Sequence, residues 1–105
     1  MNPTERRSAI FTAICWRRFD SFVNLAREFQ VSERTIQRDV ILLTLSYPLE
    51  TVRGRRGGVK LADWFHPADT WLNFEQIKLL RKIEPYLPPV EQVVLKSILF
   101  QFTPH

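Results

Sequence analysis

Residues 21–44 hold two short amphipathic runs, each opened by a serine, with almost no chain between them. Ser21 is a candidate cap for a helix whose buried face is Phe22, Leu25, Ala26 and Phe29. Serine suits that place because its hydroxyl accepts from a backbone N–H that the first helical turn leaves unsatisfied. Ser32 is a second candidate cap, opening a helix over 32–44 with Ile36, Val40 and Leu43 turned inward. Arg34, Thr35, Gln37, Arg38 and Ile41 fall largely on its other faces. Only Gln30-Val31-Ser32 joins the two runs, so the helices must meet at a steep angle. Short helix, tight turn, short polar-faced helix is the helix-turn-helix pattern.

The flanking chain completes a small set of elements. Asn2-Pro3-Thr4-Glu5 reads as a helix start, with Asn2 as cap, Pro3 in the first turn and Glu5 closing a capping box. That helix runs to about Arg18, with Ile10, Ala13, Ile14 and Arg17 on one stripe and Phe11 and Cys15 beside it. Phe19-Asp20-Ser21 reads as an interruption. After Tyr47-Pro48, Leu49–Arg53 and Gly58–Leu61 are strand-like, and Gly54-Arg55-Arg56-Gly57 between them permits a tight turn. The expected result is a β-hairpin over 49–61 with arginines at its tip. Residues 62–70 resemble a linker from which Trp64, Phe65 and Trp71 fold back. Asn73-Phe74-Glu75-Gln76 is another capping box, opening a helix with Ile77, Leu80 and Ile83 inward that Pro85 ends or kinks. A last helix, about Pro89 to Phe102, is apolar on more than one face.

Charge separates the two halves. Ten of the eleven arginines lie in residues 1–60, where Lys60 is the one lysine and six carboxylates oppose them. Residues 61–105 carry four basic and five acidic side chains, and the whole chain is +4. Arginine's planar fork grips phosphates and base edges through paired donors, so the skew points toward nucleic acid. The competing reading is a solvated basic face, with Arg38 pairing with Glu33 or Asp39. Arg53-Gly54-Arg55-Arg56 beside the 32–44 helix favours the first: clustered like charges at a hairpin tip repel unless solvent or an anion relieves them.

These residues carry a family resemblance. Val31-Ser32-Glu33-Arg34-Thr35-Ile36-Gln37-Arg38-Asp39-Val40 is similar to the second-to-third-helix junction of bacterial DeoR-type regulators. Tyr47 through Leu61 resembles the wing of regulators that carry a WYL domain. The likeness covers about Glu5 to Leu61 and weakens over Leu72-Asn73-Phe74-Glu75-Gln76. It implies an α+β fold: a winged helix-turn-helix of three helices plus a two-stranded β-hairpin wing over 1–65, then a C-terminal helical hairpin over 66–105. It also implies sequence-specific binding of double-stranded DNA by a transcriptional regulator. Ser32, Arg34, Thr35, Gln37 and Arg38 would lie on the recognition helix in the major groove, and Arg53, Arg55 and Arg56 in the wing. Asp39 resembles the family's acidic position beside the recognition arginine and is expected to orient an arginine. The likeness reaches no ligand-sensing WYL domain, so no small-molecule effector domain is expected.

Regulators of this build read two half-sites as dimers, which need a self-complementary patch. Val94, Leu95, Ile98, Leu99 and Phe102 offer one, making the 66–105 extension the expected dimerisation element and a homodimer the expected state. The alternative function is a protein-interaction module docking a partner through the same helix. Trp16, Trp64 and Trp71 are scattered without basic interleaving, so core or interface packing is expected rather than base stacking.

Other classes find little support. His66 and His105 lack partners at ligand spacing, and Cys15 lies within a helix, so no metal or cofactor is expected. Gly54-x-x-Gly57-Gly58 is not followed by Lys-Ser or Lys-Thr, so it is no P-loop, and no Gly-x-Ser-x-Gly occurs. No enzymatic activity is expected. Runs such as Val40–Leu43 are too short for a bilayer, and no secretory leader is visible. With its single cysteine, the chain is expected to be cytoplasmic.

Overall fold

The computed structural model describes residues 1–104, and the chain parts into two compact units between Phe65 and His66. The first unit runs α1 (Pro3–Arg17), β1 (Phe19–Ser21), α2 (Phe22–Phe29), α3 (Glu33–Thr44), β2 (Leu49–Val52) and β3 (Gly58–Leu61). Each helix begins where a side chain takes up an orphan amide. Asn2 accepts from the Glu5 amide at 2.8 Å, Ser21 from Asn24 at 3.0 Å and Ser32 from Thr35 at 3.1 Å. The expected box at Asn2 differs in one bond: Glu5 accepts from the Asn2 side-chain amide instead of the backbone N–H.

The two-stranded hairpin expected from the sequence is part of a three-stranded antiparallel sheet in the order β1-β3-β2. β1 is the segment that reads as an interruption. It has three residues, too few for alternation to show, and its pairing partner specifies it. Phe19 lies opposite Lys60 and Ser21 opposite Gly58, while β2 pairs Leu49 with Leu61 and Val52 with Gly58. Gly58 thus has a strand on each side. A Cβ there would sit 2.0 Å from the Asp20 carbonyl oxygen, so only glycine lets β1 close on β3.

Inward stripes from three helices and the sheet meet in one core. Ile10 and Ile14 come from α1, Leu25 and Ala26 from α2, and Ile36, Val40 and Leu43 from α3. Leu49, Val59 and Leu61 close it from the sheet. Phe22 and Phe29 pack partly buried against it, so α2 and α3 bury the faces their spacing predicts. The end of α1 is fixed by Arg18, whose φ of 67° is left-handed. Its carbonyl accepts from Leu61 at 2.7 Å, and its guanidinium donates to the carbonyls of Ala62 and Phe65 at 3.0 and 2.9 Å. Those bonds hold a conformation that a β-carbon disfavours.

The second unit holds α4 (Phe74–Ile83), a 3-10 turn over Glu84–Tyr86 and α5 (Pro89–Phe102). Asn73 and Gln76 form the full reciprocal capping box, and α4 gives way to the 3-10 turn that contains Pro85. Ile77 and Leu80 are half-buried, but Ile83, expected inward, is exposed at the end of α4. On α5 the face carrying Leu95 and Leu99 turns inward; Leu95 is only 5% exposed. Val90, Val93 and Val94 lie on the opposite, open face.

The tryptophans correct the core half of the expectation of core or interface packing. Trp16 on α1 is 85% exposed, and Trp64 and Trp71 are exposed as well, with Trp64 edge-on to Phe65. The core of the first unit is filled by aliphatic side chains with Phe22, Phe29 and Phe65 packed against it, so Trp16 and Trp64 stay outside it. Among the described residues, no helix is long and apolar enough to cross a membrane. His105 lies outside the described residues.

Candidate nucleic-acid interface

The outward face of α3 follows from what its inward face has taken. With Ile36, Asp39, Val40 and Leu43 buried, the helical period turns Arg34, Arg38, Ile41 and Leu45 to the opposite side, flanked by Gln37 and Leu42. All of these are exposed. The stripe is cationic and polar through its first turns and apolar toward its end. Ser32 caps α3 and shares a hydrogen bond of 3.0 Å with the Thr35 hydroxyl. That pairing commits both groups to the helix start and leaves one hydroxyl hydrogen for an outside acceptor. Thr35 is half-buried, the least accessible of the expected recognition residues.

Partnership sorts the arginines into two sets. Arg6 donates from Nε to Asp39 Oδ2 at 2.6 Å and from Nη2 to Oδ1 at 3.2 Å, and Arg7 stands 3.6 Å from the same carboxylate. Arg17 donates to both carboxylate oxygens of Glu28, at 2.7 and 2.9 Å, and to Asp20 at 2.8 Å. Arg18 holds the carbonyls already described. Arg34, Arg38, Arg53, Arg55 and Arg56 form no ion pair or side-chain hydrogen bond with any described residue, and all five are exposed. Two other arginines, Arg27 on α2 and Arg81 on α4, are also without a carboxylate. Five free guanidinium groups nevertheless sit on one helix face and one hairpin turn of the same unit.

The carboxylates follow the same division. Asp39, 3% exposed, is the one buried charged residue among those described, and it serves α1 rather than its neighbour Arg38. It anchors α3 through Arg6, whose guanidinium is held above its ordinary pKa by the hydrogen bonds it donates to Asp39. Arg17 in turn pulls the Glu28 carboxyl below its usual range. Burial pushes the Cys15 thiol up, against the opposing field of Arg18, which leaves it a poor nucleophile at neutral pH.

The hairpin turn stands beside α3. Gly54, at φ +113°, adopts a backbone that L-residues rarely reach, and its carbonyl accepts from Gly57 at 2.9 Å. The chain reverses there and carries Arg55 and Arg56 at the tip. Phe22 donates its amide to the Gly57 carbonyl at 3.0 Å, tying the start of α2 to the hairpin. Between helix and hairpin lies an open groove of about 350 Å³. Gln37 and Ile41 form its helical side, Val52, Arg53 and Gly54 line it from the hairpin, and Phe22 also borders it.

Of the residues singled out from sequence, the structure brings Ser32, Arg34, Thr35, Gln37 and Arg38 onto one helix and Arg53, Arg55 and Arg56 onto the adjoining turn. The sequence places Ile41 on an outer face of the 32–44 helix, but the expected contact residues, chosen for charge and hydrogen-bonding groups, do not include it. Its spacing of seven from Arg34 and four from Gln37 was the available signal. The expected dimer patch is divided: Leu95 is buried and Leu99 half-buried, while Val94, Ile98 and Phe102 are exposed. No cluster of three or more His, Cys, Asp or Glu able to hold a metal occurs among the described residues. No family model, curated protein or solved structure matches the chain.

Proposed function

We propose that residues 1–65 form a winged helix-turn-helix module of the DeoR-like, WYL-associated kind that binds double-stranded DNA as a bacterial transcriptional regulator in the cytoplasm. In this reading α3 enters the major groove, and the 49–61 hairpin is the wing along the flanking backbone. The order helix, strand, helix, helix, hairpin is compatible with that fold. The observation that carries the reading is the division of the arginines. Those that hold the scaffold have carboxylate or carbonyl partners, whereas Arg34, Arg38, Arg53, Arg55 and Arg56 present unneutralised forks on adjoining surfaces. Such forks suit phosphate oxygens and guanine edges, and Gln37 suits adenine.

The partner state proposed with it is a homodimer through the open face of α5 at Val90, Val93 and Val94, with the less exposed Ile98 and Phe102 at its margin. Val94→Asp is expected to yield monomers in sedimentation at micromolar concentration; a persistent dimer would move the interface elsewhere. The same open apolar face favours a second reading, a protein-interaction module that leaves the arginines unused on DNA. Binding to a labelled duplex at two salt concentrations separates the two, because contact through several arginines weakens steeply with salt and apolar docking does not.

A further inference from the structure

Ile41 lies outside the core, on an outer face of α3 as its spacing predicts. It stands 58% exposed on the outward stripe of α3, one turn beyond Gln37 and in line with Arg34 and Arg38. It also borders the groove between α3 and the hairpin, where Val52 and Phe22 supply further apolar surface and Arg53 supplies charge. A stripe that carries Arg34 and Arg38 before Ile41, and the exposed Leu45 after it, joins charge to apolar surface. It matches a ligand that is anionic outside and apolar at isolated points within. A DNA major groove has that character: phosphates line its walls, and the thymine C5 methyl is the apolar group its floor presents.

We propose that Ile41 is a specificity-determining residue that packs on a thymine C5 methyl in the major groove, next to the base pair addressed by Gln37. This rests on the DNA-binding reading above and sharpens it. Gln37 and Ile41 lie on adjacent turns of the same edge of α3. Their side chains therefore meet neighbouring base pairs, Gln37 through paired hydrogen bonds to an adenine edge and Ile41 through van der Waals contact. The groove beside Ile41 is open, and Arg53 lines it from the hairpin. The result is discrimination in favour of an A·T-containing step by one polar and one apolar contact.

The test uses the full chain and a duplex enriched from a random pool. Each thymine is replaced in turn by deoxyuridine, which removes only the methyl group. Affinities are measured for the wild type, Ile41→Ala and Ile41→Val, with helical content checked by circular dichroism. Ile41 is exposed and alanine favours helices, so the variants are expected to fold. At one thymine the wild type is expected to lose about fourfold in affinity, the worth of one buried methyl. Ile41→Ala is expected to bind the thymine and deoxyuridine duplexes equally, and Ile41→Val to fall between. Duplex binding in which no thymine is sensitive, or in which Ile41→Ala keeps the full sensitivity, overturns the role of Ile41 and leaves DNA binding standing. Failure to enrich or bind any duplex at low salt overturns the DNA reading itself, and this role with it.

Discussion

Removing the three hairpin arginines, by Arg53→Ala/Arg55→Ala/Arg56→Ala, should change how DNA affinity depends on salt in a calculable way. Arg34, Arg38, Arg53, Arg55 and Arg56 are the free guanidinium groups of the interface. If each neutralises one phosphate, log K falls against log salt with a slope of about −4.5 per protomer. The triple variant keeps Arg34 and Arg38 and should show a slope of about −1.8. Between about 50 and about 200 mM salt, each wild-type protomer then contributes a loss of about 500-fold in affinity and each variant protomer about twelvefold, factors that multiply in a dimer. Fluorescence anisotropy with a labelled duplex across a salt series gives both slopes. The matched control removes the same charge from the exposed cations of α4, as Lys78→Ala/Arg81→Ala/Lys82→Ala. Its slope should equal that of the wild type. An unchanged slope in the hairpin variant, or equal flattening in the control, would refute contact through the hairpin and leave only a diffuse effect of net charge.

Further predictions concern the scaffold that presents this surface. Gly58→Ala drives a Cβ into the Asp20 carbonyl and should destabilise the first unit by about 1–3 kcal/mol or more in urea unfolding, since backbone cannot yield as a side chain can; an unchanged midpoint would mean that β1 does not pair there. Asp39→Ala leaves Arg6 without its paired acceptor, so its thermal midpoint should fall well below that of Arg38→Ala, which touches no described partner and should stay within about 0.5 kcal/mol of the wild type. Equal midpoints for the two variants would remove Asp39 as the anchor of α3. Acid should act on Glu28, whose folded pKa lies below its ordinary 4.5 through its bonds to Arg17. Its stabilisation is therefore present above that ordinary value and lost as pH falls through the folded one, so the gap in thermal midpoint between wild type and Glu28→Gln should be small and positive at pH 6–7 and shrink as the pH is taken below 4.5. A gap that persists in acid would assign the contribution of Glu28 to something other than its charge.

The helical frame of the first unit is legible in the sequence because its signals are local. Ser21 and Ser32 each sit one residue before a helix, and the inward spacing of Ile36, Val40 and Leu43 is a helical period. Features that depend on distant partners are not legible. Phe19–Ser21 becomes a strand only because β3 runs beside it with glycine at position 58. Asp39 meets Arg6 across a separation of 33 residues, so sequence could offer Arg38 as an equally good partner. The sorting of arginines into bound and free is likewise a tertiary property. On α5, apolar residues on nearly every face leave no period to say which side is buried, and a patch containing Leu95 and Leu99 therefore mixes inward with outward positions. The outward position of Ile41 follows from the helical period of α3, whereas the groove it borders depends on the hairpin and does not.

DNA recognition by α3 is tested most directly by titrating a labelled duplex from upstream of the chain's own gene, with an unrelated duplex beside it, at low and moderate salt. Arg34→Ala/Arg38→Ala is measured in parallel. Tight binding that falls steeply with salt, prefers the upstream duplex and disappears in the double variant is the expected result. Full binding by the double variant, or no binding to either duplex at low salt, would contradict it and turn attention to the open face of α5.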